Sequence, residues 1–417
     1  MVRPRLGTAI MLKRLADAWA SLHRHGWRSP EALLLLFGAA GALSFATWMA
    51  LLNNFAVERA AFTGAEMGTL QSLREVPGFL AFTAVFVLLV LREQTFALLS
   101  MALLGLGTAL TGFFPTVIGL YCTTVLMSIG YHYYETLQQS LALQWVGQDR
   151  APVVLGRVIA AASIASLVAY ALIWVAFDVI GADYLLVYLI GGGLTVAAAI
   201  FAALAYPHYP GKVEQHKTLI LRRRYWLYYA LTFLSGARRQ IFIVFAGFMM
   251  VEKFGYTVGN ITLLFIINYA ANIWLAPAIG RLIQRWGERR ALILEYVGLI
   301  VVFTSYAFVE HAMLAAALYV IDHLFFALAI AIKTYFQKIA DPRDIAPSAA
   351  VSFTINHIAA VVLPALLGFV WLVSPAAVFL TGAGFAVGSL LLTLLIPHHP
   401  APGRETQLVR PAIQPAE

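Results

Sequence analysis

From Glu31 to Pro397 the chain alternates apolar runs with short polar breaks. Runs of about 20 residues are long enough to span the hydrocarbon core of a bilayer as helices. The pattern predicts twelve helices. Six lie at roughly 32–56, 66–90, 94–113, 116–142, 153–178 and 184–206, and six more at 225–251, 258–282, 289–309, 312–338, 347–373 and 376–397. Inside hydrocarbon every backbone polar group needs an internal partner, which a helix supplies within one segment. The expected class is an all-α polytopic membrane protein.

Composition agrees. Only 12% of the 417 residues are charged and 61% are hydrophobic, with mean hydropathy +0.81, whereas soluble domains are about a quarter charged. The sole cysteine, Cys122, excludes an intrachain disulfide. Residues 1–30 are basic but lack the apolar core and cleavage site of a signal peptide. The stretch AIMLKRLADAWASLHRH at 9–25 suits a helix lying along the cytoplasmic interface, or a disordered basic leader.

The distribution of the net charge of +8 orients the helices. With the N-terminus inside, the cytoplasmic face collects Arg3, Arg5, Lys13, Arg14, Arg24 and Arg28 of the leader. It also collects Lys212, Lys217 and Arg222 to Arg224 of the central loop, and Arg281, Arg285, Arg289 and Arg290 after the eighth span. The opposite face holds only Arg59 and Lys253. That asymmetry is the positive-inside rule. It predicts a multi-pass protein of the inner (plasma) membrane with both termini cytoplasmic, and it accounts for the basic charge with no nucleic-acid partner.

The chain also repeats itself. VERAAFT at 57–63 aligns with VEKFGYT at 251–257, a displacement of 194, and the same displacement aligns LREQTFALL (91–99) with RWGERRALI (285–293). IGYHYYE (129–135) aligns with IDHLFFA (321–327) at 192. The expected organisation is a leader (1–30), a six-helix bundle (31–206), a basic linker (207–224), a second, pseudo-symmetric six-helix bundle (225–397) and a cytoplasmic tail (398–417). Parallel halves of this kind are a transporter architecture with the substrate site at the midplane between them.

GRLIQRWGERR at 280–290 resembles the signature loop of the major facilitator superfamily, Gly-x-x-x-Asp-Arg-x-Gly-Arg-Arg. Gly280, Arg285, Gly287 and Arg289 match; Gln284 replaces the acidic residue and Glu288 an arginine. The first-half counterpart, FVLLVLREQ (86–94), has lost the pattern. The resemblance implies alternating access, with those four residues in a gating loop. It also implies a cavity lined by the first, fourth, seventh and tenth helices, flanked by the second, fifth, eighth and eleventh. The fifth span, RVIAAASIASLVAYALIWV, lacks the Gly-Pro-rich signature of the drug antiporters.

Polar residues inside the spans fall on those cavity-lining and flanking helices, where ionisable groups face water or each other rather than lipid; the ninth adds only Glu295, near its cytoplasmic end. The second span carries Arg74 and Glu75; the fourth His132, Glu135, Gln138 and Gln139; the seventh Arg238, Arg239 and Gln240. The eighth carries Asn268 and Asn272, the tenth Asp322, His323 and Lys333, and the eleventh Asn356 and His357. Ser128, His132, Glu135 and Gln139 share one helical face. Asp322 and Lys333 align on a face but stand about 16 Å apart along the axis.

Arginine's planar fork suits a carboxylate or phosphate. Arg238 and Arg239 are therefore candidates to clamp an anion, with Arg74, Asn268, Asn272, Asn356 and His357 completing a substrate site. Alternatively the arginines are neutralised by Glu75, Glu135 or Asp322. Adjacent helical residues point about 100° apart, so at most one arginine faces a cavity centre. Glu135 with His132, and Asp322 with His323, are candidates to carry a coupling proton.

No phosphate-cradling loop, i, i+4 metal-ligand pair or nucleophile elbow is present, so neither an enzyme nor a cofactor or metal is expected. The expectation is a monomeric secondary transporter of a small organic anion, with proton coupling. Export of neutral or amphipathic compounds, and a non-transporting sensor or assembly factor of the same fold, are the alternatives.

Overall fold

The computed structural model describes residues 26–146, 151–210, 221–341 and 344–408. The expected interfacial helix at 9–25, the middle of the linker and the end of the tail lie outside them. The described residues are helical apart from loops and one isolated bridge, Ala401 with Arg404.

Twelve spans are built. They are α1 Pro30–Ala60, α2 Gly64–Phe79, α3 Glu93–Thr111, α4 Val117–Trp145, α5 Ala151–Trp174 and α6 Tyr184–Ala205, then α7 Trp226–Ile241, α8 Val258–Trp286, α9 Glu288–Phe308, α10 Ala312–Phe326, α11 Ile345–Val373 and α12 Pro375–Thr393. Among the described residues, nine helical stretches are long and apolar enough to cross a membrane on length and composition alone. The spans that miss this test whole, α2, α4 and α8, are among those that carry in-membrane polar residues.

Four spans depart from one continuous α-helix. Beyond Pro77, which removes a backbone donor, α2 continues as a 3-10 turn (Ala81–Thr83) and a short helix (Ala84–Val87). Single π-turns extend α5 (Val175–Ile180) and α7 (Phe242–Ala246, followed by Gly247–Glu252). In α10 a 3-10 turn, Ala327–Ala329, separates the first segment from Ile330–Ile339. Its tighter winding shifts the helical phase, so Asp322 is buried while Lys333 is exposed. The face expected to hold both is broken.

The internal repeat has a local structural cause. Ala61 (φ 52°) and Gly255 (φ 63°), equivalent residues in the aligned islands, both take the left-handed conformation that reverses the chain. Two residues on, Thr63 and Thr257 each open the next helix. The Thr63 backbone N–H donates to Glu66 Oε2 (2.9 Å), and the Thr257 N–H donates to Asn260 Oδ1 (3.1 Å). Both are versions of a capping box.

The described residues fall into two compact units. One is drawn from Met1–Ala60, Leu80–Gln215 and Thr257–Tyr269; the other from Ala61–Phe79, His216–Tyr256 and Ala270–Glu417. In the first, α1 packs on α5 and α6, and α3 on α4 and α6. Polar side chains tie these apolar faces together. Ser44 Oγ donates to Thr108 Oγ1 (2.8 Å), Thr195 Oγ1 to the Ala40 carbonyl (2.9 Å) and the Tyr134 hydroxyl to the Phe37 carbonyl (2.6 Å).

In the second unit α9 packs on α12, and α7 on α11 and α12. The α2 segment packs along α11. There Gly68 admits the other backbone so closely that a Cβ would overlap the Pro364 carbonyl oxygen, and Gly64 leaves room for the Trp371 side chain, as small residues do in membrane helix pairs. The Ala365 N–H, next to helix-interior Pro364, donates to Ser72 Oγ at 2.9 Å. Large apolar side chains such as Ile159, Leu172 and Leu204 are exposed, as surfaces that meet lipid tails require.

Candidate functional site

The arginine pair sits in the last turn of α7, just before its π-turn; such turns occur often at functional sites. Arg238 is fully buried and Arg239 is exposed, the divergence that 100° per residue requires. The Arg238 guanidinium lies 3.7 Å (Nη2 to Oε1) from Glu295 of α9. It lies over the Tyr296 ring at 4.4 Å from the centroid and farther from the Phe326 ring, at 5.8 Å. Its Nε donates to the Leu234 carbonyl at 3.2 Å.

Glu295 is fully buried. The sequence suggested Glu75, Glu135 or Asp322 as partners and placed α9 outside the polar helices. A single acid in an otherwise apolar span gave little signal. Asp322, 1% exposed, lies within electrostatic reach of both Arg238 and Glu295. Its neighbour His323 turns elsewhere. The His323 ring nitrogen Nδ1 is 3.0 Å from the Tyr319 carbonyl, and the ring packs against Phe242 and Tyr319.

On the other side of α7, Gly236 leaves room for half-buried Asn356, whose Oδ1 occupies the space a Cβ would take. Ser352, one turn earlier on α11, donates to the Tyr228 hydroxyl at 2.8 Å. Also in this unit, Arg74 forms a buried ion pair with Glu75, and His357 Nε2 lies 3.6 Å from Glu75 Oε2. Arg74, Glu75 and His357 thus form one cluster, and Arg238, Glu295 and Asp322 another. Among the described residues neither Arg239 nor Lys333 forms an ion pair.

In the first unit His132 is buried, its Nδ1 3.0 Å from Ser128 Oγ. Glu135 is half-buried and Gln139 exposed. The neighbouring aromatics pack: Tyr131 stacks on Phe45 with centroids 4.4 Å apart, and Tyr133 meets Thr83 Oγ1 at 2.5 Å. Asn268 is buried, and among the described residues neither of its amide atoms has a hydrogen-bond partner; the Asn272 side chain lies outside the described residues. An open recess of about 340 Å³ near Glu58, Asp178 and Asp183 contains none of the candidate residues.

The signature-like loop is built around Gly287, whose φ of 78° excludes most other residues. Glu288, standing where the family pattern has arginine, is buried and pairs with Lys338 at 2.7 Å. Arg289 Nη1 lies 3.2 Å from His398 Nε2, Arg285 is exposed, and Gly280 has open space around it. Nearby, Arg222 and Arg224 hold Asp344 of the loop before α11; Arg222 Nη2 donates to Asp344 Oδ1 at 2.8 Å. Those hydrogen bonds, led by Arg222, keep the Asp344 carboxyl down at about 2.

Twelve spans with buried ion clusters define a polytopic helical membrane protein. The sequence matches the family model for the Major Facilitator Superfamily over residues 32–343 and 228–415, and the chain belongs to that superfamily. No curated relative matches it. The fold is similar to that of the nucleoside transporter NupG (TM-score 0.69, 17% identity, covering 88% of this chain and 98% of that one). It is also similar to a bacterial homolog of the human lysosomal transporter Spinster in an inward-facing, unoccupied conformation (TM-score 0.66, 13% identity, covering 88% and 94%). The members of this superfamily are secondary transporters that bind small molecules within the membrane.

Proposed function

We propose that this chain moves a small organic anion by proton-coupled alternating access. It works as a monomer in the inner membrane, with cytoplasmic termini and with 31–206 and 225–397 as the two moving bundles. The single observation that carries the anion reading is the split of the arginine pair. Arg238 is neutralised inside the second unit by Glu295, and Arg74 by Glu75. That leaves Arg239, exposed and without an ion pair among the described residues, as the guanidinium available to a substrate carboxylate or phosphate. Asn356 and His357 of α11 lie in the same unit and supply neutral hydrogen-bonding groups.

Of the two coupling candidates Asp322 is the better supported, because it is buried with Arg238 and a second carboxylate. Gly280, Arg285, Gly287 and Arg289 serve as the gating loop.

A neutral solute is the second reading. Asn268, buried with an unsatisfied amide, suits a hydroxyl or a base edge, and NupG is a nucleoside transporter. Thermal-shift measurement separates the two. Small carboxylates or phosphorylated metabolites should stabilise the purified wild type and not Arg239→Gln. Stabilisation of both proteins by nucleosides, with no response to anions, would move the assignment to the neutral class.

A further inference from the structure

The cluster around Arg238 contains one guanidinium and two carboxyl groups, from α7, α9 and α10. All three side chains are buried, at 0%, 0% and 1% exposure for Arg238, Glu295 and Asp322. Arginine keeps its charge in any protein environment. A buried set with a net charge is costly, and carboxyl groups escape that cost by taking up a proton. With both carboxyls ionised the cluster carries a net charge of minus one; with one protonated it is neutral.

Beyond the Nε bond to the Leu234 carbonyl, the geometry also leaves the Nη atoms of the guanidinium uncommitted. At 3.7 Å its contact with Glu295 is an ion pair rather than a hydrogen bond. Among the described residues, neither Nη atom of Arg238 and neither oxygen of Glu295 has a hydrogen-bond partner, nor does Asp322 Oδ1. The Tyr296 and Phe326 rings lie beside the guanidinium, 4.4 and 5.8 Å from its carbon to their centroids, as cation–π neighbours.

We propose that Arg238, Glu295 and Asp322 form a one-proton store in which Glu295 is the resident counter-ion and Asp322 the carboxyl that loads and unloads. On loading, an O–H bond forms on Asp322 and Arg238 rests against Glu295. On unloading, that O–H bond breaks, the proton leaves to water, and Arg238 is shared by the two carboxylates. The other groups facing the trio are Tyr296 of α9 beside Arg238 and Glu295, Tyr306 of α9 beside Asp322, and Thr393 of α12 against Tyr296. His323 lies within electrostatic reach of Arg239. The inference rests on the proton-coupled reading and deepens it by assigning a role to α9.

Infrared difference spectroscopy of the full-length protein near neutral pH tests the store without any substrate. The wild type should show one protonated carboxyl in the cluster. Asp322→Asn and Glu295→Gln should each show none, because the remaining carboxylate then matches Arg238. Arg238→Gln should show two. If that variant does not express, the two carboxamide variants decide the question alone. A protonated carboxyl that survives in Glu295→Gln and disappears only in Asp322→Asn would overturn the proposal, and so would its absence from the wild type. Proton-driven flux is read separately. The expected spectra with no proton-driven uptake would leave the store standing and remove the coupling; proton-driven uptake without the spectra would do the reverse.

Discussion

Arg238 and Arg239 are adjacent in the chain and opposite in environment, so the same substitution has different consequences at each. Removing Arg238 strands Glu295 and Asp322 in the interior, and breaking a buried pair costs roughly 3–5 kcal/mol. Arg238→Ala should therefore lower the unfolding temperature sharply or prevent expression. Arg239→Ala should unfold as the wild type does, yet lose on the order of tenfold in anion affinity, about 1.4 kcal/mol. Equal, mild effects at both positions would contradict the division of roles. A second expectation concerns Ala61, whose φ of 52° suits glycine. Ala61→Gly should stabilise the protein by about 1 kcal/mol, read by thermal unfolding. The 100° divergence of the arginines was legible in the sequence, because it follows from helix geometry alone. Which arginine turned inward was not: that depends on Glu295, a lone acid on a span that the family resemblance left outside the cavity.

At the scale of elements, hydrophobic run length located the twelve spans to within a few residues, because the bilayer imposes length and internal hydrogen bonding together. The interruptions were less legible. Pro77 announced the break in α2, but the 3-10 turn in α10 has no sequence signal in ALA, and it separates Asp322 from Lys333. The α2–α11 contact depends on Gly68. Gly68→Val should force these helices apart and cost about 1–3 kcal/mol, seen as a lowered unfolding temperature, whereas substitution of Gly280, which faces open space, should not.

The Asp344 clamp gives a pH dependence with a definite sign. Its carboxyl is depressed from 3.8 to about 2 by Arg222, so the stabilisation is complete above 3.8 and is lost as pH falls toward about 2. The difference in unfolding temperature between wild type and Asp344→Asn should be constant above that window and close within it.

For the whole molecule, the superfamily assignment rests on the family match and on a fold shared with transporters of low sequence identity. The internal repeat that, with the signature-like loop, suggested it has a physical root in the turns shared by the two halves. On the proposed reading, substrate class depends on a few side chains, above all on a guanidinium left over after its neighbour has been neutralised. Reconstituted proteoliposomes test that claim most directly. With an imposed proton gradient, labelled small organic anions should accumulate beyond equilibration in wild-type vesicles. A protonophore should abolish the accumulation, and so should Arg239→Gln. Transport of anions indifferent to the gradient, or of a neutral nucleoside alone, would contradict the account.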